Sequence, residues 1–252
     1  MTLTIGNDLA LAFGLLFART AGVMSALPAL IGVSIPVRVR ILLGAVVAGA
    51  LMPMASLSAS TTTGIAPIAF MMIRELVIGL TLSFATAIVV GAVMTAGSVI
   101  GSSMELNSGS VLRGNVDAPN ALADGFGALA ALLFFVGGFH RMLILALARS
   151  LSVAPLGMLS LPDPHNLIGV GGRMFALALG LSFPVLVPLF VLSLAEGVIA
   201  RLAPQVNILI AAPAAMVMAG LLLLGLDAAG LGAGIMRAWS SVMTQSIGWL
   251  NG

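Results

Sequence analysis

The chain of 252 residues contains no cysteine, no lysine and no tyrosine, and it is poor in charge. Without cysteine it has no disulfide, no thiol nucleophile and no thiolate metal site. Without lysine it has no phosphate-binding loop of the Walker type, and no basic cluster supports nucleic-acid binding. Charged residues make up 7% of the chain, against about 25% in soluble domains. This is too little charge to cover a water-exposed surface, which indicates a membrane protein.

Sequence motifs of catalysis are also lacking. The histidines are His140 and His165, and no HExxH zinc motif occurs. The serines between Ser102 and Ser110 have no base placed beside them by the sequence. We therefore expect no catalytic residue, no metal and no cofactor, and we predict that the chain is not an enzyme.

What the chain has in abundance is apolar sequence, which makes up 60% of its residues. The apolar runs are long and do not alternate with polar residues, whereas a membrane β-barrel would show alternating segments and an aromatic girdle. This predicts an all-α, polytopic membrane-type protein with about six long apolar helical segments, several of them bent, and a polar central loop. The runs are Leu9–Ile31, Ile41–Leu57, Ile65–Met104, Phe126–Ala148, Met174–Ala195 and Val206–Leu226.

Several of these runs contain residues that bend or end a helix. Pro28 is expected to bend or end the first run, and the pair of prolines Pro184 and Pro188 predicts a kink in the fifth. The proline-containing interval 150–172 is interpreted as a loop. In the tail, residues 227–252, apolar side chains recur at helical spacing, which is typical of an interfacial or docking helix.

Among the charged residues within or at the ends of the apolar runs, four are singled out as candidates for buried pairing. They are Arg19, Arg74, Glu75 and Glu196. A charge at the centre of a bilayer costs about 2.5–3.5 kcal/mol even on the lenient scale. We therefore predict that these side chains are paired within the protein or with partner subunits. Because neighbouring positions of a helix do not face each other, Arg74 and Glu75 are each expected to find their own partner.

Two of the polar intervals between apolar runs are candidate functional segments. The longer one, residues 101–125, contains Gly109, Gly114 and Pro119, which argue against a continuous helix. It is either a solvated surface loop or an irregular polar segment buried in an assembly, where non-helical backbone is tolerated at membrane depth. The shorter one is predicted to be a polar hinge between the last two helical elements, formed by Arg201, Pro204, Gln205 and Asn207.

Several short motifs, in order along nearly the whole chain, resemble one known family. The most specific is the run RLAPQVN from Arg201 to Asn207, and the run IPVRVRI from Ile35 to Ile41 is another. Further matching segments are Phe17–Arg19, Glu75 with Gly79, Ala96–Gly97, Ile100–Gly101, Gly138–Arg141, Ser150, and Pro155–Gly157. With these features the chain resembles the FliR family of flagellar export-gate proteins, whose injectisome relatives form the SctT group of type III secretion.

The resemblance implies a structural membrane component that performs no catalysis. Members assemble with FliP-like and FliQ-like subunits, and with other membrane proteins of the export apparatus, in the bacterial inner membrane at the flagellar basal body. Their channel passes unfolded flagellar proteins. Residues 1–172 would form a FliP-like segment, and residues 173–252 would form a FliQ-like helical hairpin and tail. The family's central loop implies a plug of the closed channel, here Leu106, Asn107, Ser108, Gly109, Ser110, Val111, Leu112, Arg113 and Gly114.

A secondary transporter of a small solute is the alternative. Such proteins also use broken helices and charges at membrane depth, and Arg19, Arg74 and Glu75 would suit that use. This hypothesis predicts an inverted internal repeat, but the two sides of the polar interval 101–125 differ in run length and proline placement.

A deletion within the central interval tests whether it is a plug. Removing residues 107–114 is expected to leave the complex assembled but permeable to small ions, because a gate holds a modest free-energy gap between its closed and open states. Ion leakage through membranes that contain the complex is the measurement. Unchanged permeability with continued export would identify the interval as an ordinary loop.

Overall fold

The regular secondary structure of the computed structural model is helical. The structure describes residues 3–26, 28, 35–56, 64–106, 120–157, 165–202 and 208–248. The helices are α1 (Leu3–Met24), α2 (Val37–Leu51), α3 (Ile65–Ser103), α4 (Ala121–Val136), α5 (Phe139–Val153), α6 (His165–Leu202) and α7 (Ile208–Gly248), and a 3-10 turn, Met52–Met54, follows α2. The all-α fold class expected from the sequence is confirmed.

Four of the described helices, α2, α3, α6 and α7, are long and apolar enough to cross a membrane. A fifth candidate span is the pair α4 and α5, which is bent by 67° at a short break. The sequence predicted about six segments, and the difference is the first apolar run, whose helix α1 is not among these candidates. The polytopic character is confirmed, with a span count of four or five among the described residues.

Helix α3 is the core helix of the chain. It has 39 residues, so at 1.5 Å per residue it is about 58 Å long, roughly twice the hydrocarbon thickness of a bilayer. In its most apolar stretch 67% of the residues are buried inside the protein, against 28% for α6 and 17% for α7. Much of α3 is therefore covered by the rest of the protein, which explains how so long an apolar helix is accommodated.

Two loop and tail predictions are wrong in their boundaries. The interval 150–172 was expected to be a loop, but α5 continues to Val153 and α6 begins at His165. Pro164 directly precedes α6, a position where the missing N–H costs no helical hydrogen bond. The tail 227–252 was expected to be a helix of its own, but α7 runs without a break from the sixth apolar run into it. No glycine–proline signal separates the two, and Asp227 is followed by alanines that favour helix.

The chain divides into two compact units, and each is described by itself. Unit 1 comprises Met1–Ile88, Phe134–Gly171 and Trp239–Gly252. Its central feature is the crossing of α1 over α3 at two glycines. A methyl group added at Gly22 would lie 2.6 Å from the Leu76 carbonyl oxygen and 2.8 Å from the Leu80 nitrogen. A methyl group added at Gly79 would overlap the Arg19 carbonyl oxygen. Only glycine permits the two backbones to approach this closely.

An aromatic cluster surrounds the bend between α4 and α5 in unit 1. Gly138 has φ 71°, a conformation that glycine adopts without steric cost. The ring of Phe134 lies 4.8 Å from that of Trp239, and the ring of Phe139 lies 5.8 Å from it. Trp239 is fully buried, so this residue of the tail belongs to a packed core.

Unit 2 comprises Val89–Leu133 and Gly172–Ala238. In it, Asn120 fixes the start of α4 against α3. Its Oδ1 atom accepts hydrogen bonds from the backbone nitrogens of Leu122 and Ala123 at 3.2 and 3.3 Å, as an N-cap residue does. Its Nδ2 atom donates to the Ser98 carbonyl at 3.2 Å. The side chain therefore ties the helix that follows the central interval to the helix that precedes it.

The end of α3 is closed by a Schellman motif. The Leu106 nitrogen donates to the Gly101 carbonyl at 3.1 Å, and the Glu105 nitrogen donates to the Ser102 carbonyl at 3.1 Å. Glu105 occupies the left-handed position with φ 57°, where a residue other than glycine costs roughly 1 kcal/mol. Both ends of the central interval are thus anchored, one by this motif and one by Asn120.

The glycine crossing predicts a large difference between two alanine substitutions. Gly79→Ala should lower the free energy of unfolding by at least about 1–3 kcal/mol, because the methyl group meets backbone atoms that cannot rotate away. Gly14→Ala on α1 is the matched control, since nothing lies within 4 Å of the position, and it should be neutral or stabilise by up to about 1 kcal/mol. Unfolding in detergent measures both. Equal stability of the two variants would contradict the crossing.

Candidate functional site

A cluster of buried charges lies in unit 1, next to the glycine crossing. Arg19 on α1 and Glu75 on α3 are both fully buried, and the side chain of Arg74 is only 2% exposed. The Arg19 Nε atom donates to Glu75 Oε2 at 2.6 Å, and the Arg19 Nη2 atom also pairs with that oxygen. Arg74 Nη1 donates to Glu75 Oε1 at 2.8 Å. One carboxylate therefore accepts hydrogen bonds from two guanidinium groups.

The guanidinium of Arg19 uses its remaining donors on α5 and on the residue that follows it. Its Nη1 atom donates to the Ser150 hydroxyl at 3.0 Å, and its Nη2 atom donates to the Ala154 carbonyl at 2.8 Å. The Ser150 hydroxyl in turn donates to the Leu147 carbonyl at 2.6 Å. Arg19 thereby joins α1, α3 and the end of α5 through groups that lie 56 to 135 positions apart in sequence.

Arg74 and Glu75 each have a partner of their own, as expected, but they also bind each other, which their adjacent helical positions did not predict. Their backbone positions diverge around α3, but the arginine side chain is long enough to return to the neighbouring carboxylate. Glu75 also binds Arg19, so it is the shared acceptor of the cluster. Arg74 Nη1 additionally lies 3.5 Å from the Pro155 carbonyl, so both arginines reach the segment after α5.

The other residues singled out in the sequence do not belong to this cluster. Glu196 on α6 belongs to unit 2, and one of its carboxylate oxygens is buried without a hydrogen-bond partner among the described residues. Arg201 is exposed near the end of α6, while Pro204, Gln205 and Asn207 lie outside the described residues. Of the predicted plug, Leu106 is an exposed turn residue after α3, and residues 107–114 lie outside the described residues.

The site prediction missed Ser150, which binds Arg19, and the two glycines Gly22 and Gly79, which let α1 and α3 approach beside the cluster. Ser150 and Gly79 belong to the segments that match the family, but the sequence alone does not mark them as neighbours of Arg19. The signal for Ser150 was its place on the stripe of α5 that is buried, after Leu143 and Leu147. A hydroxyl on a buried helix face requires a hydrogen-bond partner. Arg19, a buried arginine with several N–H donors, was a candidate for that partner.

The arrangement suits a structural role and offers little for catalysis or transport. Among the described residues no group of three or more potential metal ligands occurs. A cavity of about 470 Å³ lies elsewhere in unit 1, and its lining is apolar apart from the hydroxyls of Ser25, Thr81 and Ser83. Arg19, Arg74 and Glu75 do not line it. Their charges face one another and backbone carbonyls, so the cluster holds helices together.

Comparison with known proteins identifies the family of the chain. The family model described as "Bacterial export proteins, family 1" matches residues 10–242. The flagellar biosynthetic protein FliR of Escherichia coli (strain K12) is 30% identical over 203 residues, which cover 76% of this chain and 74% of the relative. The chain belongs to the FliR family of bacterial export proteins. It is therefore a membrane-embedded component of a bacterial export apparatus.

Two further relatives show the breadth of the FliR family. FliR of Caulobacter vibrioides is 25% identical over 225 residues, which cover 86% of this chain and 88% of the relative. The surface presentation of antigens protein SpaR of Shigella flexneri is 26% identical over 143 residues, which cover 55% of this chain and 54% of the relative. The FliR proteins of Escherichia coli and Caulobacter vibrioides thus match more of the chain than SpaR does.

The shared carboxylate predicts an order of severity among substitutions in the cluster. Glu75→Gln leaves two buried arginines without their counter-charge and should cost about 3–5 kcal/mol of unfolding free energy. Arg19→Met should cost less, because Glu75 keeps Arg74 and the cluster becomes neutral, although Ser150 and Ala154 lose a donor. Arg149→Met, an exposed arginine of α5, is the control and should stay within about 0.5 kcal/mol of the parent. Unfolding in detergent gives the order, and a larger effect of Arg19→Met would contradict it.

Proposed function

We propose that the chain is a structural subunit of a type III protein export gate. In this proposal it forms a channel with FliP-like and FliQ-like subunits, and unfolded flagellar proteins pass through that channel across the bacterial inner membrane at the flagellar basal body. It performs no catalysis and carries no cofactor. The observation that carries the proposal is the family match over residues 10–242. The long similarity to flagellar FliR proteins supports the flagellum over the injectisome as its setting.

The exposure of its apolar helices supports a subunit role. Unit 2 leaves α6 and α7 largely uncovered, with 28% and 17% of their most apolar stretches buried. A solute transporter would enclose its site among its own helices, whereas the charges that suggested a transporter face one another in unit 1. The buried charges hold helices of the chain together, and its apolar helix faces are exposed. Both features fit a subunit of a larger assembly.

Three further parts of the proposal come from the family resemblance: the division of the chain into two segments, the hinge and the plug. We propose that residues 1–172 correspond to a FliP-like subunit and residues 173–252 to a FliQ-like subunit. This division differs from the two compact units, which are defined by contacts within the chain. The hinge around Arg201, Pro204, Gln205 and Asn207 is proposed to join α6 and α7. The plug formed by Leu106 to Gly114 is proposed to close the channel, and its two anchored ends at α3 and α4 support that role.

Deletion of the gene for this chain in its own bacterium tests the proposal. The deletion is expected to abolish motility and the export of flagellin while flagellin is still synthesised, and a plasmid copy should restore both. The tagged chain should bring FliP-like and FliQ-like subunits with it after detergent extraction. Normal flagellin export in the deletion strain, or a chain that purifies alone and binds a small solute, would overturn the proposal in favour of a transporter.

A further inference from the structure

Helix α5 of unit 1 has a buried face and an exposed face, and the exposed face carries two arginines. Its buried residues are Phe139, Leu143, Ala146, Leu147, Ala148, Ser150 and Leu151. Arg141 and Arg149 are exposed, and with Leu145 between them they follow at intervals of four residues along one side of the helix. Met142 and Ser152 lie on the same side and are also exposed. We name these five residues the basic face of α5.

The residues beside the two arginines on the basic face are largely apolar. Leu145 is 61% exposed and Met142 is 43% exposed. At the headgroup layer of a membrane, arginine side chains contact phosphate groups while their apolar neighbours contact the upper part of the acyl chains. A face that combines exposed arginines with exposed apolar side chains therefore matches the chemistry of a lipid surface.

The described residues supply no acid for Arg141 or Arg149. The ion pairs found among them join Arg19 and Arg74 to Glu75. By sequence, unit 1 contains six arginines and three acidic residues, whereas unit 2 contains four arginines and five acidic residues. The surplus of positive charge in unit 1 is complementary to an anionic surface, and basic residues next to a membrane are attracted to anionic lipids.

The length of α5 and the spacing of its arginines indicate how the helix lies. It has 15 residues, about 22 Å, which is shorter than the roughly 30 Å hydrocarbon core. If it stood along the membrane normal, the two arginines would differ in depth by about 12 Å, so only one could reach the headgroup layer. A helix near the membrane plane brings both guanidinium groups to that layer. The bend of 67° between α4 and α5 allows this direction for α5 while α4 enters the membrane.

We propose that α5 lies along the membrane surface and binds anionic phospholipids, with Arg141 and Arg149 on their phosphate groups. Met142 and Leu145 contact the upper acyl chains. In this arrangement α4 and α5 are not two halves of one span, and the bend at Gly138 turns the chain into the headgroup layer. The inference goes beyond the proposed function, because it concerns how the chain is held in the membrane whatever passes through the assembly.

Two spin labels test whether α5 lies flat. The chain has no cysteine, so Met142→Cys and Ser152→Cys each give a single labelling site, and the two sites are about 15 Å apart along the axis. The full chain, with the subunits that it brings, is placed in lipid discs of phosphatidylcholine and phosphatidylglycerol. Depth is measured by relaxation with oxygen and with a water-soluble nickel complex. Both labels are expected at nearly the same depth, at the level of the headgroups.

Substitution of the arginines tests the binding of anionic lipid. With the label at position 142, Arg141→Gln combined with Arg149→Gln should raise the phosphatidylglycerol content needed to protect the label from nickel by roughly tenfold, because each basic residue near an anionic surface contributes several-fold. Arg141→Lys combined with Arg149→Lys keeps the charges and should behave as the parent. Arg38→Gln removes an exposed arginine from α2, and this control should leave the protection unchanged.

Three outcomes would overturn the inference. A depth difference near the full axial separation of the two labels would show that α5 crosses the membrane. Equal protection of the parent and the double glutamine variant at every lipid composition would show that the arginines bind no headgroups. Labels shielded from both oxygen and nickel in all discs would show that protein covers the basic face, and the arginines would then pair with an acidic surface of a partner.

Discussion

The ion pair between Arg19 and Glu75 is the contact on which the arrangement of unit 1 depends. It joins α1 to α3 at full burial, and through Ser150 and Ala154 it also holds the end of α5. Taking these charges out of water costs several kcal/mol for each ion, which the pairing repays only with good geometry and saturated hydrogen bonds. Arg19 satisfies that condition, because its donors reach a carboxylate, a hydroxyl and a carbonyl. The cluster therefore penalises any packing in which one of the three helices is displaced.

The glycine crossing and the ion pair support each other. Gly79 lies one turn after Glu75 on α3, and it makes room for the backbone of Arg19 itself. A larger residue at Gly79 would push α1 away at the position from which the Arg19 side chain departs, and the hydrogen bond of 2.6 Å to Glu75 would lengthen. Steric and electrostatic requirements thus fall on the same turn of each helix. This explains why a polar cluster can exist in a helix as apolar as α3.

Much of the fold follows from the sequence, because long apolar runs without alternation leave helices as the available structure at membrane depth. The cost of a buried charge was enough to single out Arg19, Arg74 and Glu75. Their pairing was not predictable, since the partners of Arg19 lie 56 and 131 positions away and depend on how helices cross. The pairing of Arg74 with Glu75 was missed for a related reason. Neighbouring helix positions point in different directions from the helix axis, but the arginine side chain is long enough to bend back to the adjacent carboxylate. The start of α6 at His165 was missed because the prolines before it made the whole interval 150–172 look like a loop. The boundary at Asp227 was misplaced because aspartate ended the apolar pattern without ending the helix.

The two units satisfy their charges in different ways, and this bears on how the protein is used. In unit 1 the single carboxylate of Glu75 pairs with both Arg19 and Arg74 within the chain, which is expected of a unit that must keep its shape while other subunits assemble around it. In unit 2 the helices that expose the most apolar surface also carry Glu196 with an unsatisfied oxygen. Exposed apolar area alone is compatible with lipid, but an unpaired carboxylate on that area is not satisfied by acyl chains. The family match and the exposed apolar helices of unit 2 agree with a chain that works as a member of an assembly.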